Sequence, residues 1–473
     1  MATTPPAGEV APARPAIDDP HEIFGWTMYA WAFHGFITTV ATVLLGPYLT
    51  LLAQRAVGDN GRVFGPAVLA FITAKSFFPY CVSVSVFLQL FLLPILGAIA
   101  DYSSLKKRLL ASTCIVGAGA TCLLFFVGAG LDFRWGGLLF ILANLSFGGT
   151  DVLYNAFLPE IASADQRDRV SSRGYAFGYL GGGLLLAANL LFMRFAKDLG
   201  LTIDLAVRVS LLSGGLWWGG FSLISFSRLV TRRPARQLPA GHSYISLGVS
   251  ELKATLRELG RLPRTRSFLV AYLLYNDGIQ TVIAMSSVFL SQELFVARGL
   301  EVSQAFILGL FLMVQFVAFA GALVFERIAA AVGSHRALVL SLVIWSAVIL
   351  YAYGLLQTQA QAWGMAVVIA LVLGGSQALS RSLFSCMIPP RREAAFFALY
   401  EIANSGTSWV GPFIFAVVVS VTNSYRQALL SLIVLFVSGG ATLVFTDTRR
   451  AIQEAGQGSG PREAPVASAS ARP

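Results

Sequence analysis

Residues 147–183 read FGGTDVLYNAFLPEIASADQRDRVSSRGYAFGYLGGG. An apolar helical run carrying one carboxylate, Asp151, stops at Leu158-Pro159. A charge-dense loop follows from Asp165 to Arg173, and a glycine-rich apolar run starts directly after it. A soluble domain has no use for a charged hinge between two segments this apolar. A membrane protein does, because charges need water, whereas a spanning helix satisfies its own backbone polar groups inside lipid.

Working outward, composition agrees. Of 473 residues, 56% are hydrophobic and 12% charged, with a mean hydropathy of +0.70. Ordinary globular domains carry about 25% charged residues. A bilayer core of about 30 Å needs roughly 20 apolar residues per helix. Runs of that kind occur at 24–52, 71–100, 109–131, 136–161, 174–195 and 205–227, then at 268–290, 304–325, 337–356, 363–387, 396–421 and 428–445. The predicted fold is an all-α membrane protein, with twelve transmembrane helices in two pseudo-symmetric six-helix bundles, 24–227 and 268–445. Residues 1–23 are expected to be a disordered cytoplasmic N-terminus. They lack the basic start and cleavage site of a signal peptide, so the first helix acts as its own insertion signal. Residues 446–473 are expected to be a disordered cytoplasmic tail, rich in Gly, Ser, Ala and Pro from Gly456 onward. Between the bundles, residues 228–267 form a basic cytoplasmic linker. There Ile245, Val249, Leu252, Leu256 and Leu259 recur at the spacing of an interfacial helix.

The formal charge of +10 would point to nucleic acid in a soluble chain. Its distribution points to topology instead. With the N-terminus inside, the inner loops hold Lys106, Lys107, Arg108, Arg167, Arg169, Arg173, nine basic residues from Arg228 to Arg266, and Arg327, Arg336, Arg391 and Arg392. The outer loops hold far fewer, and the excess belongs on the cytoplasmic side. The expected location is the inner (plasma) membrane, multi-pass, with no nucleic-acid partner. Four cysteines, Cys81, Cys114, Cys122 and Cys386, show neither metal-ligand spacing nor a disulfide framework. No GxxxxGK[ST] occurs, so a nucleotide-driven pump is not expected. With no nucleophile–base or metal-ligand set in view, no cofactor, metal or enzymatic activity is expected.

The halves are weakly related. LGAIADYSSLKK, from Leu96 to Lys107, aligns with FERIAAAVGSHR, from Phe325 to Arg336, and Gly149-Thr150 aligns with Gly375-Ser376. Duplicated bundles of this kind describe a transporter rocking about a central site.

The stretch GAIADYSSLKKR (97–108) resembles the signature loop of the major facilitator superfamily. The wider pattern is similar to its vacuole effluxer branch, through FGWTMYAWAFHGFITTV (24–40), residues 154–183, YNDGIQTV (275–282), GGSQALSRSLF (374–384) and REAAFFALYEIANSG (392–406). The resemblance implies a cavity lined by helices 1, 4, 7 and 10, and export of amino acids in the eukaryotic branch. It also implies a gating role for Gly97, Asp101, Lys107 and Arg108. Two departures stand out. The family's Asp and Asn positions in helix 1 are Ala30 and Phe33 here, followed by His34, which bears on substrate class or ion coupling. In the second signature loop Glu326 and Ala330 replace the usual Gly and Asp, which weakens the inner gate of the second bundle.

Ionisable groups within spanning helices are costly and usually face protein or a water-filled cavity. Those in this chain are His34, Asp151, Asp277, Arg381 and Glu401. Each lies roughly 6–11 residues from the inner end of its segment, which places all five about 9–17 Å deep. Polar neighbours extend the layer along the same faces: Asn155, Tyr272, Asn276, Gln280 and Gln377. One reading is a substrate site formed by His34, Asp151, Asn155, Asn276, Asp277, Gln280, Gln377 and Arg381, in which Arg381 grips a carboxylate and an aspartate takes an amine. The other is a gate, with Arg381 paired to Asp151 or Asp277. Glu401 and Asp277 are the candidate proton carriers, since removal from water favours a neutral carboxyl; for Glu401 a protonated or hydrogen-bonded packing role is the alternative. His34 is either titratable or a neutral packing residue. Gly174, Gly178 and Gly182 read as a small-residue face for close helix packing.

The function expected is secondary active transport of a small polar solute, amino acids first, coupled to protons by alternating access. The expected partners are that solute, the lipid bilayer and protons, and the protein is expected to be a monomer. The alternatives are a drug or lipophile exporter, or a membrane scaffold or sensor that transports nothing.

Overall fold

The computed structural model describes residues 17–64, 71–128, 132–163, 166–232, 250, 253, 256–388, 396, 400 and 408–457. The first-half helices are α1 (Pro20–Val57), α2 (Phe77–Tyr102), α3 (Lys106–Leu123), α4 (Phe133–Asn155), α5 (Arg167–Phe195) and α6 (Ile203–Arg228). The second half supplies α7 (Pro263–Leu294), α8 (Gln304–Val332), α9 (Ser334–Gly354), α10 (Gln359–Ser385), α11 (Val410–Thr422), α12 (Tyr425–Phe445) and a terminal α13 (Thr448–Gln457). Eleven of the described helices are long and apolar enough to cross a membrane, and α11 is a shorter apolar helix.

Local chemistry explains the boundaries. Asp19 caps α1 by accepting from the His21 N–H, with Pro20 in the first turn. Thr358 and Gln361 form a reciprocal capping box at α10. Gly333, at φ +92°, makes the tight passage from α8 to α9.

Some expectations shift. The second segment starts at Phe77 rather than 71, because Thr73 and Ser76 bond each other's backbone and hydroxyls and Arg62 bridges to Thr73. The fourth run breaks at Ala156-Phe157, since Pro159 suits the first turn of a new short helix, Leu158–Ile161. The expected disorder at both ends is corrected in part. Asp18 donates its N–H to Ile161 O and accepts from the Ser163 N–H, each at 2.9 Å. Residues 448–457 are helical because Ala451 and Ala455 bury a small-residue face and Glu454 pairs with Arg264. Of the expected linker helix, Ile245, Val249 and Leu252 lie outside the described residues, and Leu256–Leu259 is helical.

The chain divides into two compact units. The first comprises Met1–Leu52, Phe91–Gly248 and Gln304–Gly309, and the second Ala53–Leu90, Val249–Ser303 and Leu310–Pro473. In the first unit the glycine face of α5 packs closely, and its partner is α1. A Cβ on Gly174 would strike Trp26, one on Gly178 would stand 2.5 Å from the His34 ring, and one on Gly182 would meet Thr38. The middle of α1, Phe36–Leu44, is π-helical. Six of its nine residues are β-branched (Ile37, Thr38, Thr39, Val40, Thr42, Val43), which crowds the α-helical turn. Thr42 returns its hydroxyl to Ile37 O at 2.7 Å.

In the second unit, α8 and α10 cross backbone to backbone. A Cβ on Gly374 would lie 2.0 Å from Ala318 O, and one on Gly321 would lie 2.3 Å from Leu371 O. The repeat noted in sequence has a structural counterpart. Leu96 packs on Gly149 in one unit, and Phe325 packs on Gly375 in the other. At the α8–α10 crossing, Gly374→Ala is expected to cost about 1–3 kcal/mol by overpacking, read as a lowered thermal midpoint in detergent. Gly364→Ala on the same helix, where a Cβ meets nothing within 4 Å, is the control. Equal midpoints would mean that the crossing is not the constraint.

Candidate transport site

In the first unit, α1 and α4 build an aromatic cluster. Trp26 stacks on Tyr154 at 4.3 Å and donates its indole N–H to Tyr154 O at 2.9 Å. Tyr29 and Phe33 close on the same ring at 5.7 and 5.6 Å. Asp151 sits half-buried one turn earlier on α4, and Asn155 is exposed. His34 is half-buried and serves the α1–α5 crossing. Its Nδ1–H donates to Ala30 O at 2.9 Å, since a carbonyl can only accept. Nε2 has no partner among the described residues.

At the end of this unit where the chain enters, the tight helix approach is not at Gly97, where a Cβ would meet only Val152 at 3.8 Å. It lies at Gly149, where a Cβ would meet Leu96 at 2.9 Å. Lys106 makes the ion pair there: its ammonium reaches Glu160 at 2.6 Å and Ala156 O at 3.0 Å. Lys107 lines the cleft between Lys106, Glu160 and Arg232, and Arg108 is exposed. The side chain of Asp101 lies outside the described residues. Glu22 is 1% exposed; it takes both Arg232 guanidinium nitrogens at 2.5 and 2.6 Å and the Val230 N–H at 3.0 Å. This buried pair was not legible in sequence, because 210 residues separate its partners.

In the second unit, the layer centres on Asp277 of α7, which is 3% exposed. Oδ2 accepts the Gly411 N–H at 2.8 Å, and Oδ1 is buried with no partner among the described residues. Gly411 occupies the first turn of α11, where N–H groups lack intrahelical acceptors, so a carboxylate from α7 caps α11. A side chain at 411 is excluded, because its Cβ would lie 2.0 Å from Thr281 Oγ1. Two residues before Asp277, Tyr275 exchanges a 2.7 Å hydrogen bond with Ser380, next to Arg381 on α10. Tyr272 stacks on Tyr400 at 4.2 Å, and Tyr400 stacks on Phe384 at 4.9 Å. Asn276 is buried, Gln280 half-buried, and Gln377 and Arg381 are exposed. The segment holding Glu401 lies outside the described residues. Thus α7 and α10 bring Asp277, Asn276, Gln280 and Arg381 into one unit.

Repeated six-helix halves with carboxylates, amides and tyrosines on apolar helices define a membrane transporter of the major facilitator type. The chain belongs to the vacuole effluxer Atg22-like family, whose match covers residues 18–456. It is 28% identical over 424 residues to an uncharacterised MFS-type transporter, YxiO, of Bacillus subtilis, covering 89% of this chain and 93% of that one. Autophagy-related protein 22 of Pichia angusta is 24% identical over 535 residues, covering 92% and 93%. Among solved structures, a D-xylose–proton symporter matches with a TM-score of 0.66 at 13% identity, covering 90% of this chain and 97% of that one. The nucleoside transporter NupG matches at 0.62 and 13%, covering 89% and 98%; these two share the fold. The relatives are transporters, and this chain is a multi-pass membrane transporter rather than an enzyme.

Proposed function

We propose that the protein is a proton-coupled secondary transporter that moves a small polar solute, amino acids first, by alternating access across a bacterial-type inner membrane. Both termini lie on the cytoplasmic side in this reading, and the unit of function is the monomer. The observation that carries it is Asp277, whose buried Oδ1 lacks a donor among the described residues while Oδ2 is held by Gly411. An unsatisfied buried carboxylate oxygen is costly. A proton or a substrate ammonium supplies the missing donor, so loading the site relieves that cost. Arg381, joined to this neighbourhood through the Tyr275–Ser380 bond, takes a substrate carboxylate, with Asn276, Gln280 and Gln377 as polar neighbours. His34, Asp151 and Asn155 are the candidate polar residues of the first half, and Glu401 is a second proton carrier. Near the cytoplasmic face Gly97, Asp101, Lys107 and Arg108 gate the path.

Counterflow in proteoliposomes with pooled labelled amino acids, with and without an imposed pH gradient, tests this reading. Uptake that responds to the gradient is expected. Folded protein that takes up none of the pools would overturn the amino-acid assignment. The Trp26–Tyr29–Phe33–Tyr154 cluster would then favour an exporter of lipophilic solutes.

A further inference from the structure

The second unit contains a neutral polar contact that transport chemistry does not use. Gln54 of α1 and Gln292 of α7 exchange two hydrogen bonds, each amide donating to the other's carbonyl, at 3.1 and 3.0 Å. They are 7% and 5% exposed. We propose that Gln54 and Gln292 form a paired-amide latch, which holds the ends of α1 and α7 together in the state seen here and must part during the transport cycle. The inference rests on the transporter reading.

Three features carry it. First, the partners lie near the ends of the helices that open the two halves: Gln54 stands three residues before Val57 and Gln292 two before Leu294. Second, one side is anchored. Beside Gln292, Glu293 binds Arg426, which also fills the carbonyls of Ala352, Tyr353 and Leu356 at the end of α9. The Gln54 side instead follows the π-helical stretch of α1. Third, the contacts beside it go singly to backbone carbonyls: Tyr425 donates to Lys75 O at 2.8 Å, and the Lys75 ammonium donates to Asn423 O at 3.4 Å.

The chemistry suits a reversible closure. Closed, the two amides satisfy each other in a site where unpaired polar groups are penalised. Opened to water, the same groups are hydrated at little net cost, because one hydrogen bond replaces another. An apolar contact would resist wetting, and an ion pair would add a large desolvation term.

The test uses full-length protein with Cys122→Ala and Cys386→Ser, spin-labelled through Asp59→Cys and Arg298→Cys beyond the two helix ends. The intact latch is expected to give one short distance. Gln54→Arg with Gln292→Arg, two guanidiniums that stay charged at any working pH, is expected to raise a longer-distance population about ten-fold or more. Gln54→Arg with Gln292→Glu is expected to restore the short one. Distances unchanged in the double arginine variant, with the protein folded and monodisperse, would overturn the latch. Separately, Gln54→Cys and Gln292→Cys joined by a short bis-thiosulfonate should stop counterflow until a reductant is added, and undiminished counterflow in joined protein would also overturn it. The distance measurement needs no solute, so failure to find a substrate does not touch it.

Discussion

Asp277→Asn is expected to leave a folded protein whose counterflow falls to background, a loss of about a hundred-fold or more. Asparagine keeps the shape of the side chain, and its Oδ1 can accept the Gly411 N–H that Asp277 accepts at 2.8 Å, so α11 stays capped. What disappears is the charge and the ability to gain a proton, and with them the response to a pH gradient. Asp277→Ala removes both functions. It leaves the Gly411 N–H buried without an acceptor, which costs about 1–3 kcal/mol, so this variant should also melt earlier. The split between the two separates the roles. An asparagine variant that transports like the parent would reduce Asp277 to a helix cap.

Glu22→Ala is expected to be the most destabilising single change in the first unit, by about 3 kcal/mol. The carboxylate gathers three donors, two from Arg232 and one from Val230, and its removal strands a guanidinium whose side chain is only 14% exposed. Glu22→Gln should lose less, since an amide oxygen still accepts. Adding Arg232→Ala to Glu22→Ala should recover part of the loss, because the stranded charge then goes too. Thermal midpoints of the four proteins give the coupling directly. Additive losses would show that the pair contributes nothing beyond its separate parts.

How much could be read in advance follows from distance along the chain. Spanning segments are local signals of about 20 apolar residues, so the apolar runs were legible, as was the glycine face of α5 from its four-residue spacing. Segment ends were less so, because Thr73, Ser76 and Pro159 act through side chains and turns that hydropathy ignores. The carboxylate Asp277 was visible as an ionisable residue in an apolar run. Its grip on Gly411 was not, since 134 residues intervene and a backbone N–H leaves no mark in sequence. Gln54 and Gln292 were missed for a related reason: uncharged amides near helix ends look ordinary until their partner, 238 residues away, is known. His34 was one of two readings in sequence, and its contact with Gly178 gives it a packing role at the α1–α5 crossing.

The nine-residue π stretch in α1 has a consequence of phase. An α-helix turns about 100° per residue, and a wider π turn advances less, so its two flanks fall out of step with each other. Residues before Phe36 and after Leu44 therefore cannot be placed on one helical wheel. The angle between the flanks is set within Ile37 to Val43, whose Thr38 itself meets Gly182 of α5.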